Sequence, residues 1–300
     1  MPKSLISSVP VLMYHHISPV DGAHTVSPDM FHKHLSILRE RDIRILSIDE
    51  FSCWREGKLD IRQPSVLLTF DDAWLDNWVY AFPILQEFQA NAIFFVVTSW
   101  PGDGKVRDHL LQEEAWEPKS HTVSMELAGT GRGDEVSMRW SELIAARDTG
   151  LVGIGCHSNT HGRWWNEGSS WAENLVGLKN DLEASRRAMK DKIGVCPIHW
   201  CWPKGLFSNR AFELASEYGF TSQFSTLRGS NSAGRKKLVR RFGVENKPPT
   251  WLEKRISVYG DPLLGGALGL IHQQLQGGRM AKRFKFASPG EFEFPLFKLI

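Results

Sequence analysis

The stretch Ser65–Asp72, Ser-Val-Leu-Leu-Thr-Phe-Asp-Asp, constrains the fold more than any other part of the chain. Its continuous apolar run after Pro64 predicts a buried strand. Two adjacent carboxylates, Asp71 and Asp72, come where that strand should end, and α/β folds bind ligands at the carboxyl ends of strands. Because neighbouring strand residues point to opposite faces, one carboxylate can bind a metal while the other handles a proton. The alternative is a solvated loop or helix N-cap that carries two acids.

Alternation of strand and helix patterns predicts the fold class. Strands are predicted at 9–17, 65–72, 92–97 and 151–155, with helices between them. This order favours a parallel sheet with outer helices, an α/β fold. Residues 100–137 interrupt it with a polar segment that is too long for an ordinary connection, so we expect a functional lid or a mobile segment there. Beyond Arg235 the pattern is weak, and the Gly-rich end predicts irregular structure.

Composition bounds the class of protein. The chain has 300 residues, 42% hydrophobic and 23% charged, as in ordinary soluble globular proteins. No apolar stretch approaches the roughly 20 residues needed to span a bilayer, and residues 1–10 lack the apolar core of a secretory signal. The cysteines form no paired pattern, which indicates free thiols in a reducing compartment: Cys53, Cys156, Cys196 and Cys201. We therefore predict a cytoplasmic protein.

A second motif, Gly-Cys-His-Ser-Asn-Thr-His-Gly, follows the strand predicted at 151–155. Its two histidines, His157 and His161, are four residues apart and can face the same way, which suits two ligands of one metal. They should lie at the same end of the sheet as the two aspartates. Two histidines, one carboxylate and an open position for water form a catalytic divalent-metal set. The alternative is a surface pair with no ligand.

Together, the Thr-Phe-Asp-Asp and His-Ser-Asn-Thr-His motifs resemble the first two motifs of the polysaccharide deacetylase family, carbohydrate esterase family 4. The likeness extends over roughly residues 9–245. It implies a distorted (β/α) barrel of about seven or eight units in one domain, and metal-dependent hydrolysis of an N-acetyl group on a sugar. It also implies that Asp71 is the general base and that Asp72, His157 and His161 bind one divalent ion, with zinc expected. Residues 1–245 are then the catalytic domain, and residues 246–300 a basic, aromatic extension.

The third motif of this family, Arg-x-Pro-Tyr-Gly, resembles Cys201-Trp202-Pro203-Lys204-Gly205 in this chain. Pro203 and Gly205 match, whereas Cys201 replaces the Arg, which leaves open how Asp71 is oriented. The family uses a backbone N–H here to stabilise the oxyanion, and the resemblance assigns it to Lys204, because any residue except proline supplies that group. The alternative is a strand-to-helix turn with no role in chemistry.

The family's general acid is a histidine, usually in a motif near the C-terminus. Leu-Gly-Leu-Ile-His272 partly resembles that motif. However, Met-Tyr-His15-His16 resembles the N-terminal strand of a permuted subgroup in which the histidine comes first. A buried strand that ends in histidine suits the barrel better than a Gly-rich end, so we prefer His15 to His16 and His272. The alternative for His15 is a core histidine bonded to a backbone carbonyl.

These motifs predict a carbohydrate N-deacetylase, with a metal-retaining sugar-binding protein or another metal-assisted hydrolase, such as a phosphoesterase, as alternatives. Trp164 and Trp165 either stack on a sugar or pack. Residues 235–300 carry 13 basic and five acidic side chains, and residues 279–286 interleave cations with apolar residues. That pattern predicts peripheral contact with an anionic membrane and a lipid-linked or glycan precursor of the cell envelope as substrate. The alternative is a tail packed on the barrel. We predict no nucleic-acid partner, and the oligomeric state stays open.

Overall fold

A parallel sheet forms the centre of the fold in the computed structural model of the chain. The structure describes residues 5–108, 116–164, 171–234 and 238–283, with the backbone alone for Trp171 and residues 276–283. Within these ranges the sheet has nine strands: β1 (Val11–Tyr14), β4 (Arg44–Ile45), β5 (Ser65–Asp72), β6 (Ala92–Val96), β7 (Val152–Cys156), β8 (His199–Cys201), β9 (Ser222–Phe224), β10 (Leu238–Val239) and β11 (Phe242–Gly243). A separate pair consists of β2 (His16–Ile17) and β3 (Thr25–Val26).

Helices connect most of these strands, as the sequence predicts. The α-helices of the described residues are α1 (Pro28–Glu40), α2 (Ile48–Arg55), α3 (Phe82–Phe88), α4 (His121–Gly129), α5 (Trp140–Asp148), α6 (Trp171–Ile193), α7 (Asn209–Glu217), α8 (Pro249–Gly260) and α9 (Pro262–Arg283). Local signals explain several starts: Ser27 caps α1 by accepting from the Met30 N–H, and Ser47 and Glu50 form a capping box on α2. No helix of the described residues has the length and apolarity needed to cross a bilayer.

The strand order is β10-β9-β8-β7-β6-β5-β1-β11, and β4 also pairs with β5. Every strand pairing of this sheet is parallel. The predicted α/β class is therefore confirmed. The edge strands β10 and β11 are separated in the chain by just Arg240 and Arg241. Among the described residues they pair with β9 and β1 and not with each other, so a two-residue connector brings the edges of the sheet together.

Strand β5 is buried along its whole length, and its side chains alternate between two cores. Val66, Leu68 and Phe70 belong to the larger core, which also contains apolar side chains of α1, α3, α6 and α8. Leu67 packs on the other face with apolar side chains of β1, β6, β9 and β10 and of α2. Because strand residues two apart share a face, Asp71 follows Leu67 and Thr69 on this second face. The fold thus places Asp71 at the end of an apolar interior.

The prediction of irregular structure at the C-terminal end is wrong for the part that the structure describes. Helices α8 and α9 occupy residues 249–283, and each begins with proline at a favoured first-turn position. The glycines of α9 mark close contacts: a Cβ added at Gly269 would lie 3.0 Å from the Arg228 carbonyl oxygen, and one at Gly265 would lie 3.0 Å from the Tyr259 Cα. Packing therefore accounts for both glycines. Residues 284–300 lie outside the described residues, and the predicted boundary at residue 245 stays a prediction.

The polar segment of residues 100–137 is hydrogen-bonded to the residues that follow β5. The Leu75 N–H donates to the Val136 carbonyl at 2.7 Å, and the Met138 N–H donates to the Ala73 carbonyl at 3.0 Å. Arg107 pairs with fully buried Glu142 at 2.6 Å. Helix α4 lies within the segment, and residues 109–115 lie outside the described residues. The described parts are thus fixed to the residues that directly follow the two aspartates.

Candidate active site

The two aspartates lie at the carboxyl end of β5, as predicted, and both are buried. Asp72 and Ala73 have φ angles of 74° and 50°, in the left-handed region that residues other than glycine seldom adopt. This backbone turn breaks the strand alternation directly after Asp71. As a result, the two adjacent carboxylates have different partners. Strained backbone of this kind tends to concentrate at functional sites.

Asp72 faces the two histidines of the second motif. Its Oδ1 lies 3.5 Å from His157 Nε2 and 3.3 Å from His161 Nε2. His157 Nδ1 lies 2.9 Å from the Cys201 carbonyl oxygen, so this nitrogen carries the proton and Nε2 offers its lone pair towards Asp72. His161 has a φ of 54°. The predicted metal set therefore converges in space.

These residues fit a divalent ion. Oδ1 of Asp72 is buried and makes no hydrogen bond to the described part of the chain. One ligand atom from each of Asp72, His157 and His161 lies within 4.8 Å of the others. Burial raises the pKa of Asp72, but His161 and His157 outweigh that effect and lower it. An ionised carboxylate with two imidazoles is a donor set typical of zinc and related ions.

Asp71, His157 and Cys201 form a second group with converging ligand atoms. Arg241 contacts this group directly, because its Nη2 lies 2.9 Å from Cys201 Sγ and 2.8 Å from Asp71 Oδ2. Burial also raises the pKa of the Cys201 thiol well above its usual value. A fixed cation and a protonated thiol both oppose metal binding there, so the Asp72 group is the better site.

Arg241 is the site residue that sequence reasoning missed. Its guanidinium donates to both carboxylate oxygens of Asp71, at 2.6 and 2.8 Å. The remaining donors bond the Ser225 carbonyl, Thr69 Oγ1 and Cys201 Sγ, so all five N–H groups of the guanidinium have partners. Cys201, at the position where the family motif carries arginine, contacts this guanidinium, which comes from the β10–β11 connector. The sequence signal was a charged pair between two short apolar runs, which is weak.

The bidentate pair controls the charge of Asp71. Burial raises the pKa of this carboxyl, but the positive charge and hydrogen bonds of Arg241, with a contribution from His157, bring it down to about 2. Asp71 is therefore ionised at neutral pH and held in a fixed orientation.

The three candidate general acids lie in different environments. His15 Nε2 is 3.9 Å from Asp71 Oδ2, and its side chain is 17% exposed. Burial lowers its pKa to about 4, although Asp71 and Asp72 partly offset the effect. His16 is buried, with Nδ1 bonded to Asp76 at 2.6 Å. His272, on α9, accepts from the Arg228 N–H at 3.4 Å. Among the described residues, His15 is therefore the candidate acid that lies beside Asp71.

His15 belongs to a group of four imidazoles that the sequence did not reveal, here named the imidazole cluster: His15, His16, His24 and His121. The ring centroid of His24 lies 4.9 Å from that of His15 and 5.0 Å from that of His121. His121 Nδ1 lies 3.2 Å from His16 Nε2. Since His121 opens α4, the polar segment of residues 100–137 contributes a side chain beside the proposed acid.

The third motif forms a tight turn, Pro203–Gly205, in which Lys204 has a φ of 56°. Gly162, next to His161, approaches it closely, since an added Cβ there would lie 3.4 Å from Pro203. Lys204 lines a cleft of about 920 Å³. Other lining residues include Met13, His24, Arg228, His272 and Leu275. The cleft therefore extends from the third motif and the imidazole cluster to α9. Trp164 packs against the larger core, and Trp165 lies outside the described residues.

Comparison with known proteins identifies the family. The profile of the family described as polysaccharide deacetylase matches residues 58–222, more than half of the chain. The chain therefore belongs to the polysaccharide deacetylase family, as the two motifs predicted. Its fold is that of solved deacetylases: it is similar to IcaB from Ammonifex degensii, with a TM-score of 0.66 and 21% identity over 83% of this chain and 96% of that one.

Two further proteins are similar to this chain, one in sequence and one in fold. The poly-beta-1,6-N-acetyl-D-glucosamine N-deacetylase of Escherichia coli K12 is 26% identical over 225 residues, covering 70% of this chain. This chain spans 32% of the length of that relative. The Streptococcus pyogenes deacetylase PplD, solved in complex with acetate, has a TM-score of 0.64 at 18% identity and covers 84% of this chain and 99% of its own. These structural likenesses establish the fold.

Proposed function

We propose that this chain is a metal-dependent hydrolase that removes the N-acetyl group from an N-acetylated amino sugar. The division of labour between the two aspartates carries the proposal: Arg241 holds Asp71 by both oxygens, while Asp72 faces His157 and His161. One carboxylate is thus set up to handle a proton and the other to bind an ion. Membership of the polysaccharide deacetylase family supports this chemistry.

Asp72, His157 and His161 hold the ion, with zinc as the expected metal. When bound, such an ion supplies Lewis acidity, which lowers the pKa of water and polarises a carbonyl. Asp71 accepts the proton of the attacking water. Arg241 keeps Asp71 ionised and fixes the direction of its lone pairs, and this replaces the arginine that the third motif lacks.

His15 donates the proton that the departing amine needs, because an unprotonated amine is a poor leaving group. With a pKa of about 4, His15 is neutral at rest, so it must first gain that proton. Asp71 Oδ2, 3.9 Å away, is the nearest source among the contacts of His15. The backbone N–H of Lys204 donates to the oxyanion of the tetrahedral intermediate.

The family and the name of one relative support the substrate class that we propose. The E. coli relative is named for N-deacetylation of poly-beta-1,6-N-acetyl-D-glucosamine, and we propose an N-acetylhexosamine for this chain. A lipid-linked or glycan precursor of the cell envelope is our preferred form of it. We also propose that the protein acts in the cytoplasm, in peripheral contact with the inner face of the membrane.

Acetate release from β-1,6-linked N-acetylglucosamine oligomers tests the activity. We expect the purified chain to release acetate. Acetate release should stop after chelation and resume when zinc is restored. Phosphate release from a phosphomonoester under the same conditions, without acetate release, would favour the phosphoesterase alternative. Binding of the oligomer with no release of either product would favour the sugar-binding alternative.

A further inference from the structure

Helix α9 exposes its apolar side chains to solvent. Of twelve large apolar side chains with high exposure in the described residues, six lie between residues 263 and 275 of this helix. Leu264, Leu268, Ile271 and Leu275 follow one another at intervals of four, three and four residues, which places them on one face of the helix. We name these four residues the α9 stripe. Their exposed fractions are 58%, 44%, 55% and 63%.

The opposite face of α9 packs against the protein through small and polar residues. Gly265, Gly269 and Gln273 are its buried positions, and Gln273 Oε1 accepts from Arg240 Nη2 at 2.5 Å. Any side chain at Gly269 would meet the backbone of Arg228 and Gly229 at 3.0 and 3.1 Å. A leucine therefore cannot occupy that contact, and the helix is held with its apolar face outward. This is the reverse of an ordinary surface helix.

The charge pattern of this region indicates the partner. Between Asp261 and Glu291 the sequence has no acidic residue, and it has four cations: Arg279, Lys282, Arg283 and Lys285. An exposed apolar stripe followed by cations is typical of helices that lie in the interface of an anionic bilayer. A second copy of α9 would supply no acidic partner for these cations, because the sequence of α9 contains no acidic residue.

The stripe is continuous with the cleft. His272 and Leu275 of α9 line it together with Lys204 of the third motif and with His24 of the imidazole cluster. A bilayer in contact with α9 would therefore lie beside the cleft. A sugar attached to a lipid could enter the cleft while its lipid stays in the bilayer.

We propose that α9 is a membrane-docking helix, which seats this chain on an anionic leaflet through Leu264, Leu268, Ile271 and Leu275. The docking is independent of catalysis. Its consequence, that the natural substrate is an N-acetylated sugar carried by a lipid, rests on the proposed deacetylase function.

Co-sedimentation of the full chain with vesicles of phosphatidylcholine and phosphatidylglycerol tests the docking. The stripe variant replaces Leu264, Leu268 and Ile271 with glutamine and keeps Leu275, which lines the cleft. Its matched control carries Val176→Gln, Val195→Gln and Ile198→Gln, three other exposed apolar positions. We expect wild type and control to pellet with the vesicles, and the stripe variant to partition at least about tenfold less. Binding should weaken in high salt and on vesicles of phosphatidylcholine alone. Circular dichroism verifies that each variant folds.

The proposal is overturned if the wild-type chain stays in the supernatant with anionic vesicles, or if the folded stripe variant pellets as well as the control. A wild-type dimer that the stripe variant converts to a monomer, with no vesicle binding, would also overturn it in favour of self-association. Acetate release from a soluble oligomer is measured in parallel and should be equal in all three proteins. Its absence in wild type would refute the deacetylase function and leave the docking result standing.

Discussion

Arg241 and Asp71 are 170 residues apart in the chain, yet the guanidinium of one is bonded to both carboxylate oxygens of the other. Both residues are buried, since Arg241 is 1% exposed and Asp71 is 2% exposed. The pair joins β5 in the middle of the strand order to the connector between the two edge strands. Orientation of the proposed base therefore depends on a residue outside the three sequence motifs.

Replacing Arg241 should impair both turnover and stability. In Arg241→Gln, Asp71 is left buried without its cation, which we expect to lower the free energy of unfolding by about 3–5 kcal/mol. We expect kcat to fall by about 10²-fold or more, because the base loses its orientation. Urea unfolding and acetate release measure the two effects.

A relocated arginine provides the control for that prediction. The double variant Arg241→Gln with Cys201→Arg places a guanidinium where the family motif carries one, and we expect it to recover part of the lost kcat. Wild-type activity in Arg241→Gln alone would contradict the role assigned to this residue.

The two aspartates should respond differently to substitution. We expect Asp72→Ala and His157→Ala to lose the divalent ion, since each removes one of three ligands. Asp71→Asn should retain the ion while its kcat falls by about 10²-fold or more. Metal analysis of the purified variants, alongside acetate release, tests this division. Full metal occupancy in Asp72→Ala and His157→Ala would refute the metal site.

His15 and His272 should differ as candidate acids. His15 lies 3.9 Å from Asp71, whereas His272 bonds the Arg228 backbone on α9. We therefore expect His15→Ala to lower kcat far more than His272→Ala, with metal content unchanged in both. The reverse ranking in a steady-state assay would assign the role to His272.

His199 should make the fold sensitive to acid. Its ring is buried, Nδ1 has no hydrogen-bond partner among the described residues, and burial lowers its pKa from 6.5 to about 4. Between these pH values the unfolded chain binds a proton that the folded chain does not, so stability falls as the pH falls. The loss from this residue is at most about 3 kcal/mol.

We expect His199→Leu to reduce the loss of unfolding free energy between pH 7 and pH 4.5, as measured by urea titration. His32→Leu is the matched control, because that side chain is 43% exposed. An equal pH dependence in His199→Leu and wild type would contradict the prediction.

The sequence predicted the parts of the fold that local patterns specify. Ser65–Asp72 is a buried strand that ends in the two aspartates, as predicted, and the caps Ser27 and Ser47 are local signals of the same kind. Such signals depend on neighbours in the chain. Helix α9 escaped prediction because glycine normally weakens helices, whereas Gly265 and Gly269 serve close contacts with Tyr259 and Arg228. Those contacts have no local signature.

The site was predictable to the extent that its residues lie in motifs. Asp72, His157 and His161 follow strand ends of one parallel sheet, so their meeting could be inferred from topology. Arg241, His24 and His121 could not, because each reaches the site through a connector or an inserted segment whose path the sequence does not give. A single sequence shows that an arginine is missing from the third motif, but not which other arginine replaces it.

The position of Arg241 in the chain also affects the order in which the residues of the site are made during translation. The region that matches the family, residues 58–222, contains both aspartates and both histidines of the metal set. It leaves out His15 and Arg241. During translation the proposed metal ligands are therefore made before Arg241, the cation that orients Asp71. A nascent chain that ends before residue 241 contains Asp72, His157 and His161, yet it lacks the arginine that pairs with Asp71. Hydrolytic competence should therefore arise late, when the connector of the edge strands has left the ribosome and closed on β5.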